Sequence, residues 1–182
     1  MPLSDAELVA RALAERNDDA FGELVRRHQS PLRAWLRRLT GGDFAAADDL
    51  AQETFLTAYR QLSAFRHEGR FVAWLFSIAY NRFRTALRRQ WDFVELDEEL
   101  MANLAAPGEP NSASDLRQDL EVAMTRLTLE QRSALTLFYQ QGLTHPEVAL
   151  VMNCPPGTVK THIMRGKERM LRYFHKVEKA YP

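Results

Sequence analysis

Apolar residues recur along this chain at three- and four-residue steps and show no strand-like alternation. Ser4 and Glu7 make a capping box, opening a first helix with Leu8, Ala12 and Leu13 on one side. A second helix begins near Asp18 or Asp19. It carries Phe21, Leu24, Val25, His28, Leu32, Trp35, Leu36 and Leu39 on a long core-facing stripe. Pro31 removes a backbone donor and predicts a kink or break near Gln29–Ser30. Gly41-Gly42 ends the helix. A third helix, over 43–62, buries Phe44, Ala47, Ala51, Phe55, Ala58 and Leu62. After the polar loop 63–70, a fourth helix lines one face with Phe71, Trp74, Leu75, Ile78, the stem of Arg82, and Phe83.

From Trp91 to about Gln118 the apolar period lapses, and AAPGEPNSAS reads as linker. Helices resume with Leu116, Leu120, Val122, Ala123 and Leu127. A capping box of Thr128 and Gln131 opens a helix bearing Ala134, Leu135, Leu137 and Phe138, closed by Gly142. A further box, Thr144 with Glu147, starts a short helix with Val148, Ala149, Val151 and Met152 as its body. Asn153-Cys154-Pro155-Pro156-Gly157 ends it, and a last helix restarts near Pro156 to Thr158. There Val159, Ile163, Gly166 and Met170 share one stripe. Thr161, Met164, Arg165 and Arg172 point the other way, with Lys160, His162 and Lys167 on the flanks. The pattern predicts an all-α chain with a four-helix domain over 1–90, a linker over 91–118, and a four-helix domain over 119–182. The second domain ends in a helix-turn-helix.

Charge sharpens this division. The net charge of zero splits into +3 over residues 1–90, −7 over 91–120 and +4 over 121–182. No apolar run reaches the roughly 18 residues of a membrane span, and the N-terminus has no secretory pattern, which predicts a cytoplasmic protein. The single cysteine, Cys154, excludes an internal disulfide and a multi-cysteine zinc site, and no metal or cofactor is called for.

Three surfaces carry candidate chemistry, each with a plainer alternative. Asp48, Asp49, Gln52 and Glu53 cluster outside the third helix, followed by Leu56. They suit a docking face, although acids near a helix N-terminus also favour the macrodipole, which explains Asp48 and Asp49 better than Glu53 and Leu56. The loop Phe65-Arg66-His67 and the basic end from Arg82 to Arg89 interleave aromatics with cations, as single-stranded nucleic acid requires. Phe76, Tyr80, Asn81, Arg84, Arg88 and Arg89 are spread over the outer part of that helix, while Trp74 and Phe71 fit a core stripe. The helix-turn-helix suits the DNA major groove, or is a helical hairpin with a solvated basic face. His28 reads as a packed histidine, with no His or Cys at metal spacing.

The order and spacing of FGELVRRH, DFAAADDLAQETFLTAYRQL, FRHEGRFVAWLFSIAYNRFRTALRR, LTLEQRSALTLFYQQGLTHPEVA and GTVKTHIMRGKERM resemble bacterial sigma factors of the extracytoplasmic-function (ECF) type. These are two-domain relatives of sigma-70. The resemblance implies a first domain that binds the β′ clamp helices of core RNA polymerase and melts the −10 element. It implies a second domain that docks near the β flap and reads the −35 element. Asp48, Asp49, Gln52, Glu53 and Leu56 then take the polymerase contact. Phe65, Arg66, His67, Arg70 and Asn81 take the flipped −10 base and its surroundings, with Arg84, Arg88 and Arg89 on adjacent phosphates and strand. Lys160, Thr161, His162, Met164 and Arg165 take the −35 reading face, with Thr158 and Lys167 on phosphates. The chain departs from the family's pattern at Pro146, often acidic, at Asn153, often glycine, and at His162, often arginine. The same resemblance implies restraint by an anti-sigma protein.

The resulting expectation is a non-enzymatic sigma factor. The alternatives are a stand-alone helix-turn-helix regulator with a helical N-terminal sensor domain, or a helical anti-sigma or adaptor protein. The N-terminal half suggests neither a ligand pocket nor a phosphoacceptor, and an adaptor needs no basic outer face on the last helix. No carboxylate pair, nucleophile–base pair or metal cluster supports an enzyme.

Overall fold

A computed structural model of the chain describes residues 3–14, 18–65, 69–91 and 116–180. All regular structure among them is helical. The elements are α1 (Asp5–Ala14), α2 (Asp18–Leu39), α3 (Phe44–Arg60), a 3-10 turn (Leu62–Ala64), α4 (Phe71–Trp91), α5 (Leu116–Thr125), α6 (Leu129–Tyr139), α7 (His145–Met152) and α8 (Pro156–Ala180). They fall into two compact units, Met1–Phe93 and Val94–Pro182. Most of the acidic segment 91–118 lies outside the described residues.

In the first unit α2 packs against α1 and α3, and α4 packs on α3 and α2. Leu24, Leu32, Trp35 and Leu36 are fully buried along α2. The helix continues through Pro31 rather than breaking near Gln29–Ser30. One missing donor costs roughly 3 kcal/mol, and burying four large side chains on both sides of it, at ~1.5–3 kcal/mol each, outweighs that loss. On α1 the buried side is Leu8 and Val9 rather than the Leu13 side, since Leu13 is 39% exposed. The predicted Ser4–Glu7 capping box forms, with the Ser4 N–H and hydroxyl both donating to Glu7 Oε2 at 2.7 Å. His28 packs as the spacing predicts: its Nε2 lies 2.7 Å from Asp5 Oδ2 and its ring beside Phe71.

Phe44, expected in the core, is 62% exposed at the start of α3. The Arg37 guanidinium covers its ring at 4.6 Å from the centroid. Conversely, Phe76 and Tyr80, expected on the outer part of α4, are buried against Trp35. A single-stripe reading is too narrow for α4, because this helix contacts two neighbours at once.

In the second unit α8 packs on α6, α7 and α5. The Thr128–Gln131 capping box forms at the start of α6, and Gly142 follows the helix with φ 61°. Arg132 reaches back to the carbonyls of Met124, Thr125 and Leu127, satisfying acceptors that the end of α5 leaves open.

Candidate functional site

The outer face of α3 follows from helical geometry. At 100° per residue Asp48, Asp49, Gln52, Glu53 and Leu56 occupy an arc of roughly 140°, opposite the buried Ala47, Leu50, Ala51, Thr54 and Ala58. Asp43, not one of these acids, caps the helix, accepting from the Ala46 N–H at 3.0 Å. The first turn holds no acid, so Asp48 and Asp49 sit beyond the reach of the macrodipole argument, whose effect fades within that turn. Two of the acids are already paired. Asp48 lies 3.5 Å from Arg33 and 3.4 Å from Arg37, tying α3 to α2. Glu53 lies 2.6 Å from Arg82 of α4. Asp49, Gln52 and Leu56 face solvent, Leu56 at 56% exposure.

The aromatic–basic surface divides differently from the expectation. Phe65 is 7% exposed and packs edge-on against Phe71 and at a tilt against Trp74. It anchors the loop to α4 instead of presenting its ring outward. Arg66 and His67 lie outside the described residues. Arg70 is exposed, and its carbonyl accepts the Ala73 and Trp74 N–H groups at the start of α4. Asn81, Arg88 and Arg89 are exposed, while Arg84 is half-buried with its guanidinium 5.9 Å from the Tyr80 ring centroid. Asn81, Arg84, Arg88 and Arg89 together span roughly 140° of the α4 surface.

These two surfaces border one groove of about 680 Å³ between α3 and α4. Asp49 and Glu53 stand on one wall, Asn81, Arg82 and Arg89 on the other, with Leu50 and Ile78 among the apolar lining. Arg82, whose spacing predicts only a core stem, also bonds to Glu53. No sequence signal linked the two, which are 29 residues apart.

The helix-turn-helix forms as its capping pattern predicts. Thr144 and Glu147 bond reciprocally at the start of α7. Asn153 closes the helix in the left-handed region at φ 51°, ψ 52°. Asparagine is one of the few non-glycine residues suited to that conformation, so the departure from the family's glycine keeps the turn. Cys154 is half-buried there, and burial raises its thiol pKa, favouring the neutral form. On α8, Val159, Ile163 and Gly166 are buried, and the Thr161 hydroxyl donates back to the Gly157 carbonyl at 3.0 Å. Half-buried Thr161 and exposed Met164 and Arg165 form the outward ridge. Exposed Lys160 and Lys167 lie on one side and half-buried Thr158 and His162 on the other. Lys167 Nζ stands 6.0 Å from the Tyr139 ring centroid. Exposed Glu168, one turn beyond Met164, falls on the same ridge, as its i+4 spacing requires.

No helix among the described residues is long and apolar enough to cross a membrane. Comparison with known proteins agrees with this geometry. Residues 24–93 match the family model of Sigma-70 region 2, and residues 117–170 that of Sigma-70, region 4. RNA polymerase sigma-H factor of Pseudomonas aeruginosa is 33% identical over 178 residues, covering 90% of each chain. ECF RNA polymerase sigma-E factor of Escherichia coli K12 is 31% identical over 179 residues, covering 91% of this chain and 92% of that one. Among solved structures, the sigma factor RpoE in complex with the anti-sigma factor NepR, from Bartonella quintana, superposes with a TM-score of 0.71. Its identity is 25%, over 85% of this chain and 96% of that one. CnrH in complex with the cytosolic domain of CnrY gives 0.67 at 25% identity, over 94% of this chain and 97% of that one. Similarity across both units to sigma factors disfavours the stand-alone regulator. The chain belongs to the sigma-70 family and is an ECF sigma factor that directs transcription initiation.

Proposed function

We propose that the two units divide promoter recognition in the way the resemblance implies. The domain over 1–90 docks through Asp49, Gln52, Glu53 and Leu56 on the β′ clamp helices of core RNA polymerase, with Asp48 bracing that face against α2. The α4 surface of Asn81, Arg84, Arg88 and Arg89, with the loop through Arg66, His67 and Arg70, receives the melted −10 strand. Phe65, packed on Phe71 and Trp74, supports the start of α4. The domain over 119–182 binds near the β flap and lays α8 in the −35 major groove. There Lys160, Thr161, His162, Met164 and Arg165 meet base edges, while Thr158 and Lys167 meet phosphates. Residues 91–118 join the two domains.

The observation that carries this reading is the opposition on α8 of buried Val159, Ile163 and Gly166 to the ridge of Thr161, Met164 and Arg165. A major-groove helix needs one side committed to its own core and the other left to the bases. The protein is a specificity subunit without catalytic residues of its own, working in the cytoplasm beside the polymerase. Two similar solved structures are complexes, one of a sigma factor with an anti-sigma factor, which supports restraint of this chain by an anti-sigma protein. Transcription by core polymerase from a randomised promoter library tests the reading. Transcripts that depend on the added protein and share −35 and −10 sequences are expected. A library transcribed equally with and without it would refute the proposal.

A further inference from the structure

Arg82 follows Asn81 on α4, yet its side chain crosses to α3. Its Nη1 donates to Glu53 Oε2 at 2.6 Å, its Nε to the Thr57 hydroxyl at 2.9 Å, and its Nη2 to the same hydroxyl. Thr57 Oγ1 gives its own proton to the Glu53 carbonyl at 2.8 Å. One guanidinium fork therefore binds two residues a turn apart on α3, of which Glu53 belongs to the docking face. The pair is open to water, the Arg82 side chain being 36% and that of Glu53 57% exposed. An exposed pair of this kind contributes little net stability, so another ion readily takes over either partner. Both residues also line the groove that Asn81 and Arg89 share.

We propose that Arg82 is a counter-ion shared between Glu53 and the melted strand. It neutralises Glu53 in the free protein and turns to strand phosphates once a basic residue of the polymerase takes Glu53. This rests on the reading of α3 as docking face and α4 as strand face. A polymerase cation approaching Glu53 meets the Arg82 charge at close range, and like-charge repulsion favours moving the guanidinium aside. Its stem is rooted on α4 between the neighbours Asn81 and Arg89 that the strand meets, and its fork suits phosphate as well as carboxylate. The exchange breaks one ion pair and forms two, with no bond made or cut. Arg82 then has opposite effects on two steps: it opposes docking and favours strand binding. A side chain that merely braced the fold would support both.

The test measures core-polymerase affinity across salt, then binding of an oligothymidine strand by the holoenzyme across salt, for wild type and Arg82→Gln. Arg82→Gln should tighten core binding several-fold at low salt, the gain fading as salt screens it. It should weaken strand binding and reduce the slope of log K against log salt by about 0.7. In a Glu53→Gln background Arg82→Gln should no longer alter core affinity. Arg82→Lys, which keeps the charge, should keep the strand slope, and it carries the test if the glutamine variant does not fold. Weakened or unchanged core binding by Arg82→Gln, or an unchanged strand slope, would overturn the proposal. Absence of measurable core binding by the wild type would instead refute the docking reading on which it rests.

Discussion

A methyl group placed on Gly166 would stand 2.7 Å from Leu135 Cδ1, so a larger residue there forces the Leu135 side chain of α6 to move. Gly166 is buried in the stripe that seats α8, and Leu135 is 5% exposed on α6. Two terms oppose each other in Gly166→Ala. Alanine is the better helix former by about 1 kcal/mol, while overpacking a filled core costs roughly 1–3 kcal/mol. The clash should win, lowering stability by about 1 kcal/mol. In a Leu135→Ala background, where the obstructing methyl is gone, the same change should become stabilising. Urea unfolding of the four proteins in the cycle checks this reversal of sign.

The turn between α7 and α8 offers a sharper backbone test. Asn153 holds φ 51°, a conformation that costs a residue with an ordinary Cβ roughly 1–2 kcal/mol. Asn153→Gly should therefore leave stability unchanged or slightly raised, and Asn153→Ala should lower it by about 1 kcal/mol. Thermal unfolding of both variants decides. Equal midpoints would show that the side chain, not the backbone angle, matters there.

Phe65 and Asn81 separate folding from melting. With its ring 7% exposed among Phe71 and Trp74, Phe65→Ala should cost about 3 kcal/mol of stability. Any defect of that variant in opening promoters then follows from a loosened loop. Asn81 is exposed, so Asn81→Ala should change stability by no more than about 0.5 kcal/mol. It should nevertheless slow the appearance of permanganate-reactive thymines on a promoter already bound at −35.

The sequence showed most of this architecture because local chemistry determines it. The capping boxes at Ser4, Thr128 and Thr144, the stripe through Val159 and Ile163, and the outward set on α3 all depend on residues within two helical turns. What escaped was decided by contacts distant in sequence. Pro31 breaks nothing because α2 is packed on both sides of it. Phe76 and Tyr80 are interior because α4 has two neighbours, and Phe44 stays outside the core with the Arg37 guanidinium over its ring. The pairing of Glu53 with Arg82 joins residues that no spacing rule connects. Local pattern assigned the faces; tertiary packing decided which of their side chains are already occupied.

That occupancy distinguishes two adjacent acids. Asp49 faces solvent, whereas Asp48 is held by Arg33 and Arg37. Asp49→Lys should abolish core-polymerase binding and alter the unfolding midpoint little, since an exposed position away from packing changes stability within about 0.5 kcal/mol. Asp48→Lys should impair both, because it places a third cation beside two arginines that join α3 to α2. Pull-down by core polymerase and thermal unfolding of each variant make the comparison. Retained polymerase binding by Asp49→Lys would remove this face from the interface.

Arg165 and Lys167 stand on different parts of the α8 surface and should fail differently. Arg165 lies on the outward ridge with Thr161 and Met164, the side proposed to meet base edges. Lys167 lies on the flank, near Tyr139, the side proposed to meet the backbone of the duplex. A bidentate contact to a base discriminates by roughly 1–3 kcal/mol, so Arg165→Ala should flatten the preference at one −35 position by about that amount. Loss of a phosphate contact weakens every sequence alike, so Lys167→Ala should leave the preference profile intact and lower the salt slope by about 0.9. Both residues are exposed and neither change should disturb the fold. Binding of holoenzyme to a library of −35 variants at several salt concentrations separates the two outcomes. An Arg165→Ala profile that matches wild type would move Arg165 to the phosphate contacts, and a changed Lys167→Ala profile would place that lysine among the base readers.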